Sequence, residues 1–446
     1  MSGLAVIVLA AGQGTRMKSS LPKVLHPVCG VPMARHILDA ARKLTLQRLI
    51  VVVGHGAEAV RAALDAPDVT FVEQPELRGT ADAVRRCRAA AQGCDEIMVL
   101  NGDSPLVRAD LLNTLRAARA SAPLAFVTCS IPEPARMGRV ARDARGVVTG
   151  IVEAADYTGP AGPAEINAGQ YVFEAAWLWD RIEAITVSPK GEYYLTVLPA
   201  LAHREGPASV TVSGNPAEVL GIDDRVRLAE AEATMRQRIL RRHMLNGVTV
   251  IDPATTYIDA SVRIARDVTI HPVCALSGDT TIASDTEIGP ATTLRSSAVG
   301  ARTRISQSVI EDSRLGEGVR VGPFAHVRGN STIGDGCVLG NYAEVNRSTL
   351  GRGVKMHHFS YLGDATVGDG ANIAAGVITC NYDGVNKNPT VIGAGAFVGC
   401  DTMLVAPVTM GDGSLTGAGT VLRQDLPPGA RAVGAPARIL AERTGD

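Results

Sequence analysis

Aromatic residues are scarce in this chain, and its charges almost cancel. Phenylalanine, tryptophan and tyrosine together make up 4% of the 446 residues, and the formal net charge at pH 7 is −1. Proteins that hold single-stranded nucleic acid combine a basic groove with aromatic platforms on which bases stack. Anionic membranes likewise attract proteins with a strong positive charge. The composition therefore argues against a nucleic-acid partner and gives no electrostatic reason for membrane association.

Paired cysteines and long apolar runs are also missing. The eight cysteines are scattered, and none forms the C-x-x-C pair typical of zinc ribbons or thioredoxin-like redox sites. The apolar run from Leu4 to Ala11 has no basic residue before it and is too short to span a bilayer. We interpret it as a buried strand rather than a signal peptide. We therefore expect reduced thiols, no membrane span and a cytoplasmic location.

An aliphatic side chain recurs at every sixth position in the second half of the chain. The spacing fits neither the 3.6-residue period of a helix nor the simple alternation of a hairpin sheet. It is typical of a parallel β-helix built from hexapeptide repeats. The recurring residues form three runs: Ile258, Ile264, Ile270, Leu276, Ile282, Ile288 and Leu294; then Leu315, Val321, Val327, Ile333, Leu339 and Val345; and then Ile392, Val398, Leu404 and Met410.

The first half of the chain has a different pattern, in which short β-rich runs alternate with helical stretches. This alternation predicts an α/β domain with a largely parallel sheet, whose ligands bind beyond the carboxyl ends of the strands. We expect this domain over residues 1–222, a connecting helix within 223–246 and the repeat domain over 247–446. The predicted strands are Val6–Leu9, Leu49–Val53, Ile97–Leu100 and Leu124–Thr128, and helical patterns include Met33–Lys43, Ala57–Leu64 and Asp224–His243.

A glycine-containing loop directly follows the first predicted strand. It includes Gly12, Gly14 and Arg16, and Lys23 follows shortly afterwards. Glycines after a strand let backbone amides approach a phosphate, and the two cations add positive charge. The loop matches neither the P-loop nor the dinucleotide-binding fingerprint. Asp103 ends another predicted strand, where a Mg²⁺ ligand is expected in a nucleotide-dependent α/β site, although a lone aspartate there is also a common turn former.

Two polar stretches interrupt the hexapeptide period. One surrounds His357 and His358, and the other is the insertion Thr379–Lys387. Histidine is the natural general base near neutral pH. A lone histidine in a repeat protein is ordinarily a surface residue, but here a tyrosine, two asparagines and a lysine follow within one or two coils. The breaks in the period, rather than the regular repeats, are therefore the predicted place for chemistry.

Together these residues resemble the sugar-1-phosphate nucleotidyltransferases. The run Leu9–Met17 with Leu21-Pro22-Lys23 is close to that family's G-x-G-T-R-M…P-K signature. The match extends through Gln74, Gly79-Thr80, Asn101-Gly102-Asp103, Gly138, Glu153 and Glu165-Ile166-Asn167-Ala168-Gly169. With the repeats behind it, nearly the whole chain resembles the family of bifunctional enzymes that join an N-acetylglucosamine-1-phosphate uridylyltransferase to a glucosamine-1-phosphate N-acetyltransferase. The resemblance implies an α/β fold with a Rossmann-like nucleotidyltransferase domain, a linker helix and a left-handed parallel β-helix.

For the first domain the resemblance implies transfer of uridylyl from UTP to N-acetylglucosamine 1-phosphate. Mg²⁺ is expected on Asp103 and Asp223. The family usually has asparagine at the second position, but both side chains offer an oxygen to a hard cation, so we expect the site to survive. The residues expected to bind nucleotide and sugar are Leu9, Ala10, Ala11, Gly12, Arg16, Lys23, Gln74, Gly79, Thr80, Gly138, Glu153, Asn167 and Asp223.

For the second domain the resemblance implies acetylation of glucosamine 1-phosphate by acetyl-CoA, in a homotrimer whose active sites lie between subunits. His358 aligns with the catalytic base, and Glu344 aligns with an acidic residue that orients it. Lys387 is expected to come from a neighbouring subunit. The residues expected at the sugar phosphate are Arg328, Asn346, Tyr361, Asn372 and Lys387, and those expected at acetyl-CoA are Ala375, Asn381, Tyr382, Cys400 and Ala418. The resemblance also implies that the product, UDP-N-acetylglucosamine, feeds peptidoglycan and lipopolysaccharide synthesis.

Three positions depart from the family pattern. Asn346 replaces a phosphate-binding lysine, Cys400 replaces a serine that contacts CoA, and Gly434 stands where the family has arginine. Arg347 and Arg438 are candidates to compensate, although arginine and lysine are not interchangeable at such sites. The departures leave two alternatives open. In one the β-helix is only an oligomerisation and regulatory scaffold, and in the other the enzyme uses a different amino sugar or acyl donor.

Overall fold

The computed structural model describes residues 3–134, 137–154, 156–189, 191–206 and 209–440. Two compact units make up the chain, Met1–Met235 and Arg236–Asp446. The division falls inside one long helix, Arg225–Leu245, at the place where the sequence predicts a connecting helix. No helix within the described ranges is both long enough and apolar enough to cross a membrane.

A mixed β-sheet forms the centre of the first unit. Strands β1, β4, β5 and β6 run parallel, as predicted, while β10 lies antiparallel between β6 and β7. The path through the sheet is β11-β7-β10-β6-β1-β4-β5, with β8 and β9 attached at β10. The strands are β1 (Leu4–Leu9), β2 (Pro27–Val28), β3 (Val31–Pro32), β4 (Arg48–Val53), β5 (Val69–Glu73), β6 (Glu96–Asn101), β7 (Leu124–Ile131), β8 (Arg139–Arg142), β9 (Val148–Val152), β10 (Ala164–Glu174) and β11 (Val210–Ser213).

Apolar residues are buried on both faces of this sheet, which explains why its strands are almost continuously hydrophobic. In β1, Leu4, Val6 and Val8 belong to one core cluster. Ala5 and Ile7, which point the other way, belong to a second. The helices are α1 (Met33–Ala41), α2 (Ala57–Leu64), α3 (Thr80–Arg86), α4 (Ala109–Arg119), α5 (Ala175–Arg181), α6 (Leu198–Glu205), α7 (Pro216–Val219) and α8 (Arg225–Leu245), with short 3₁₀ helices at Thr15–Met17, Lys23–Leu25, Ile182–Ala184 and Leu195–Val197.

The second unit is a left-handed parallel β-helix in which each coil contributes one strand to each of three sheets. Sheet I contains Thr249–Val250, Thr269–Ile270, Glu287–Ile288, Arg304–Ile305, Arg320–Val321, Val338–Leu339, Lys355–Met356, Asn372–Ile373, Phe397–Val398, Leu415–Thr416, Arg431–Val433 and Arg438–Leu440. Sheet II contains Tyr257–Ile258, Ala275–Ser277, Thr293–Arg295, Val309–Glu311, His326–Arg328, Ala343–Asn346, Ser360–Gly363, Ile378–Cys380, Met403–Val405 and Val421–Leu422. Sheet III contains Arg263–Ile264, Thr281–Ile282, Ala298–Val299, Arg314–Leu315, Thr332–Ile333, Thr349–Leu350, Ala365–Val367, Thr390–Ile392 and Val408–Met410.

The aliphatic residues that recur at every sixth position form the interior of this solenoid. Every residue of the predicted series is buried except Ile264, which is half-buried. Successive coils stack in register, so that an aliphatic side chain rests on the equivalent side chain of the next coil, as Val327 does on Val345. The last strand, Arg438–Leu440, runs antiparallel to Arg431–Val433 and ends the regular stack.

All eight cysteines are free thiols, and six of them are buried. Burial raises the pKa of the Cys87 thiol to about 12 and that of Cys129 to about 11. Because the thiolate is the reactive form, these buried thiols are chemically inert at neutral pH. Cys400, by contrast, is exposed.

Candidate active sites

The glycine loop and the predicted metal ligand meet at one edge of the first sheet. Strands β1 and β6 are parallel neighbours, with Leu9 opposite Asn101. The loops that follow these strands therefore open at the same carboxyl edge, and the backbone N–H of Gly102 donates to the carbonyl of Leu9 at 2.9 Å. This is where ligands of open α/β sheets bind.

Lys23 connects the two predicted metal ligands. Its ammonium donates to Asp103 and, at 3.0 Å, to Oδ1 of Asp223. The other oxygen of Asp223 forms an ion pair with Nη1 of Arg16, also at 3.0 Å. Burial alone lowers the pKa of Lys23, but the charges and hydrogen bonds of Asp103 and Asp223 outweigh it, and the net pKa is raised. The lysine is therefore a fixed cation at neutral pH.

The same two carboxylates fit a magnesium ion. Within the described ranges no cluster of three or more His, Cys, Asp or Glu side chains could hold a metal ion alone. Mg²⁺, however, is commonly bound through one or two carboxylates, with substrate phosphates and water completing its shell. Asp103 and Asp223 already face one shared cation, the ammonium of Lys23. Their oxygens are thus suited to a hard cation that arrives with a nucleotide.

A cavity of about 400 Å³ opens beside these charges. It is lined by most of the residues predicted to bind nucleotide, together with several that sequence reasoning missed. The predicted lining residues are Leu9, Ala11, Gly12, Lys23, Gln74, Gly79, Thr80 and Asp103. The additional ones are Gln13, Val24, Leu77, Ala83, Asn101 and Glu192. Ala10 is buried behind the cavity wall.

Gln74 is held in one orientation at the cavity wall. Its side chain is 3% exposed, and its Nε2 donates to the carbonyl of Gly79 at 3.0 Å and to Asp82 at 2.9 Å. A carboxylate only accepts hydrogen bonds, so Asp82 fixes which end of the amide is the donor. Asp82 in turn pairs with Arg86 at 3.0 Å. No sequence pattern singles out Asp82, because its role depends on the contact that α3 makes with Gln74 in the folded chain.

Of the residues predicted to hold the sugar, Gly138 directly precedes β8, Glu153 directly follows β9, and Asn167 lies on β10. The backbone N–H of Asn167 donates to the carbonyl of Gly138 at 3.0 Å. Glu153 accepts from the hydroxyl of Thr196 at 2.5 Å. A side chain at Gly138 would lie 3.7 Å from Glu153 and 2.9 Å from Ile151, so the glycine leaves room beside the carboxylate. These three predicted residues are brought together by the β8–β9 hairpin and its pairing with β10.

A second group of predicted residues lies on sheet II of the β-helix. Adjacent strands place Glu344 opposite Tyr361, and Arg328 opposite Asn346. Arg328 donates to Glu344 through two nitrogens, at 2.6 and 3.2 Å. No hydrogen bond between Glu344 and His358 occurs in the described part of the chain, so in this structure the carboxylate orients Arg328 instead.

His358 is exposed at the corner between the strands Lys355–Met356 and Ser360–Gly363. The equivalent corners of the following coils carry Ala375, Cys400 and Ala418. Backbone hydrogen bonds of 2.7 to 2.8 Å join these corners, for example from Gly419 to Cys400. The predicted base and three predicted acetyl-CoA contacts therefore form one row along an edge of the solenoid. Asn372 lies on the adjoining sheet I, in register with Lys355.

Asn346, which stands where the family has lysine, and its neighbour Arg347 have different surroundings. Asn346 is 3% exposed, and its Oδ1 has no hydrogen-bond partner in the described part of the chain. Arg347 forms a two-pronged ion pair with Asp364, at 2.7 and 2.9 Å. The guanidinium that was a candidate to replace the lysine is thus already bound to a carboxylate of the next coil.

The polar insertion is a compact hairpin. Tyr382 and Lys387 form a β-bridge, and the lysine ammonium lies 4.3 Å from the centre of the tyrosine ring. Asp383 accepts from the backbone of Asn386 and Val385 and from the side chain of Asn388, at 2.6 to 2.9 Å. These hydrogen bonds lower the pKa of Asp383 to about 2, and the one from the backbone of Asn386 has the largest effect. The insertion therefore presents a preformed polar surface.

Comparison with known proteins accounts for both halves of the chain. A family described as "MobA-like NTP transferase domain" matches residues 6–242, and "Bacterial transferase hexapeptide (six repeats)" matches residues 312–347. The protein "Bifunctional protein GlmU" of Brevibacillus brevis is 43% identical over 97% of this chain and 95% of its own length. The protein of that name from a Geobacillus species is 44% identical over 96% and 94%.

A relative from another bacterial genus gives the same result. The "Bifunctional protein GlmU" of Corynebacterium efficiens is 41% identical over 97% of this chain and 91% of its own length. Identity of this size, extending through the nucleotide loop, the long helix and the hexapeptide coils, leaves no part of the architecture unmatched. The chain therefore belongs to the GlmU family of bifunctional proteins.

Proposed function

We propose that residues 1–222 carry out uridylyl transfer and residues 247–446 carry out acetyl transfer, with 223–246 linking them. The chain is a bifunctional transferase, as its family shows. In the proposed sequence, acetyl-CoA first acetylates glucosamine 1-phosphate. UTP then converts the product into UDP-N-acetylglucosamine, with release of pyrophosphate. Relatives that match along the full length disfavour the reading in which the β-helix is only a scaffold.

In uridylyl transfer, a phosphate oxygen of N-acetylglucosamine 1-phosphate attacks the α-phosphorus of UTP, and the bond to the pyrophosphate breaks. Lys23 and Arg16 bind and neutralise the phosphates, while Gln74 holds the base in the cavity. When bound at Asp103 and Asp223, Mg²⁺ supplies charge neutralisation of the phosphate oxygens. Such reactions depend on positioning and electrostatics. The cluster of Lys23 with two carboxylates is the observation that carries this proposal.

In acetyl transfer, the amine of glucosamine 1-phosphate attacks the thioester carbonyl of acetyl-CoA. His358 accepts the proton that the amine loses, the carbon–sulfur bond breaks, and the CoA thiolate leaves. Arg328 and Tyr361 bind the sugar phosphate, and the row of Ala375, Cys400 and Ala418 lines the CoA. The exposure of His358 beside that row supports this assignment, because a base must reach its substrate.

The proposed assembly is a homotrimer in which Lys387 reaches a neighbouring subunit's site. A column of exposed aromatic side chains supports it, on the corner that carries His358 and on the equivalent corners of the two preceding coils. Phe324 and Tyr342 stack with ring centres 5.3 Å apart and are 50% and 60% exposed, and Phe359 is 56% exposed. Contiguous exposed aromatic surface of this kind is typical of protein interfaces. The proposal places the enzyme in the cytoplasm, where UTP and acetyl-CoA are available.

A coupled assay tests both activities. Purified protein is supplied with glucosamine 1-phosphate, acetyl-CoA, UTP and Mg²⁺. Acetyl transfer and uridylyl transfer are also assayed separately, each with its own substrates. His358→Ala should abolish acetyl transfer and spare uridylyl transfer, whereas Asp103→Ala should do the reverse. His357→Ala and Asp110→Ala are the matched controls, since they change a neighbouring histidine and an exposed aspartate. Loss of both activities in either test variant would contradict the two-site assignment.

A further inference from the structure

Asp364 joins three coils of the β-helix at one corner. Its carboxylate binds the guanidinium of Arg347 on the preceding coil, at 2.7 and 2.9 Å. It also accepts from the side-chain amide of Asn381 on the following coil. Each partner lies 17 residues away along the chain, which is the length of one coil here. The three side chains therefore stack, with the carboxylate in the middle.

The carboxylate fixes the orientation of the Asn381 amide. An ionised carboxylate accepts hydrogen bonds and cannot donate them, so Nδ2 must face Asp364 and Oδ1 must face away. The hydrogen bond from Arg347 is the main cause that lowers the pKa of Asp364, and the acceptor is therefore maintained at neutral pH. Asn381 itself is 5% exposed, so its amide has little freedom to turn.

Gly363 brings this amide next to Tyr361. A side chain at Gly363 would collide with the Tyr361 hydroxyl and would lie 2.8 Å from Nδ2 of Asn381. Both groups therefore rest on the bare backbone of Gly363, one residue before Asp364. Tyr361 belongs to the proposed sugar-phosphate site and Asn381 to the proposed acetyl-CoA site. The carboxylate thus sits where the two halves of the site meet.

The base of the insertion is tied to the same corner. The backbone N–H of Thr390 donates to the carbonyl of Asp364 at 3.1 Å, and that of Asn388 donates to the carbonyl of Asn381 at 2.7 Å. The main chain therefore leaves and re-enters the coil beside the carboxylate. A change in the orientation of Asn381 would reach the hairpin that carries Tyr382.

We propose that Asp364 is a positioning residue for acetyl transfer, which sets the Asn381 amide so that its oxygen faces the acetyl-CoA site. This inference rests on the proposed acetyltransferase function. Asp364→Asn is nearly isosteric but can present a donor to Asn381, so the amide loses its fixed orientation. Loss of one oriented hydrogen bond to a ligand corresponds to roughly a tenfold weaker interaction. The KM for acetyl-CoA should rise about tenfold, with kcat changed less than about threefold.

Asp369→Asn is the matched control. Asp369 binds Arg352 across the same spacing of 17 residues, at 3.2 Å, on an exposed corner away from the insertion. The substitution therefore removes an equivalent inter-coil ion pair without touching Asn381. It should leave the KM for acetyl-CoA unchanged. Uridylyl transfer, measured on the same preparations, should be unchanged in both variants.

A double-mutant cycle separates positioning from a general loss of stability. Asn381→Ala removes the amide that Asp364 orients, and it should raise the KM for acetyl-CoA by itself. Adding Asp364→Asn to Asn381→Ala should then cause little further rise, because the two residues act through one contact. Thermal unfolding of each variant reports its folding. If Asp364→Asn does not fold, an unchanged KM in Asn381→Ala alone still overturns the proposal.

The outcomes are distinct. Wild-type protein that cannot acetylate glucosamine 1-phosphate would remove the proposed acetyltransferase function, and this inference with it. Active wild type with an Asp364→Asn variant that matches Asp369→Asn would overturn the inference alone. Additive effects in the cycle would also overturn it. A rise in the KM for acetyl-CoA confined to Asp364→Asn and Asn381→Ala, and not additive between them, supports it.

Discussion

The ammonium of Lys23 lies 3.0 Å from Oδ1 of Asp223, although 200 residues separate them along the chain. The same ammonium binds Asp103 at the end of β6. One cation therefore connects the loop after β1, the end of a neighbouring strand and the segment that leads into α8. The first site is assembled from distant parts of the first unit, and it depends on this lysine.

Lys23→Met should reduce kcat/KM for uridylyl transfer by about a hundredfold or more, because a half-buried cation aimed at developing charge is lost. The two carboxylates would also repel each other. Lys18→Met is the control, since Lys18 is an exposed lysine of the same loop. Steady-state kinetics with UTP and N-acetylglucosamine 1-phosphate measure the effect. Equal activity in the two variants would contradict a role for Lys23, and acetyl transfer should be unaffected in both.

Gly363→Ala should damage acetyl transfer through local packing. The added methyl group meets the Tyr361 hydroxyl, and such overpacking typically costs about 1 to 3 kcal/mol. We expect a lower unfolding temperature and at least roughly a tenfold loss of acetyl transfer, since a small misplacement of site groups is costly. In a Tyr361→Ala background, which lacks both the hydroxyl and the ring carbon that the methyl group would meet, the same substitution should cost less stability. An equal cost in both backgrounds would show that the clash is elsewhere.

His243 should make the protein less stable in mild acid. The side chain is 5% exposed, and its Nε2 has no hydrogen-bond partner in the described part of the chain. Burial, with a smaller effect from Arg242, lowers its pKa from 6.5 to about 4. The unfolded chain therefore binds the proton first, so stability falls as the pH drops from 6.5 towards 4 and is independent of this group above 6.5.

The measurement is thermal unfolding of wild type and His243→Leu at several pH values between about 4 and 8. This range spans the lowered pKa of His243 and its ordinary value. When the pH is lowered, the unfolding temperature should fall less in the variant than in the wild type. His203→Leu, which changes a half-buried histidine on α6, is the control and should follow the wild type. Parallel acid dependence in all three proteins would exclude His243 as the cause.

Removing the exposed aromatic column should weaken the proposed trimer. Phe324 and Tyr342 have positive φ angles of 60° and 58°, so asparagine, which tolerates that conformation, is the suitable replacement. The double variant Phe324→Asn/Tyr342→Asn should shift sedimentation towards monomer and reduce acetyl transfer. Val226→Asn removes an exposed apolar side chain of α8 as a control. An unchanged assembly in the double variant would place the interface on another surface.

Most of the β-helix could be predicted because its six-residue period is visible in the sequence. An aliphatic residue is required at each interior position, and the structure buries all but Ile264 of the predicted series. The antiparallel strand β10 was not predicted. Its pairing with β7 shifts register between Asn167 and Tyr171, around Gly169 with a φ of 86°. This interruption hides the alternation by which a strand is ordinarily recognised.

The sequence points to candidate site residues where residue type and loop context coincide, as for Lys23, Asp103 and His358, whose roles stay predictions. Asp364 was missed because the dipeptide Gly363-Asp364 does not differ in sequence from the glycine and aspartate residues at other corners of the solenoid. Its partners become apparent only when the chain is wound into coils, since Arg347 and Asn381 each lie 17 residues away. Asp82 was missed for the same reason, because its role depends on the packing of Gln74 against α3.

The hairpin inserted after Cys380 lengthens one coil without disturbing the next. On sheet III the pairing continues across it, with Thr366 opposite Val391 and Val391 opposite Thr409. Stacking and the proposed ligand contacts therefore lie on separate stretches of the same coil. The hairpin can therefore change in length or composition without loss of the strand pairing that stabilises the coils. Under the proposed function, such changes would alter which ligands the second site accepts.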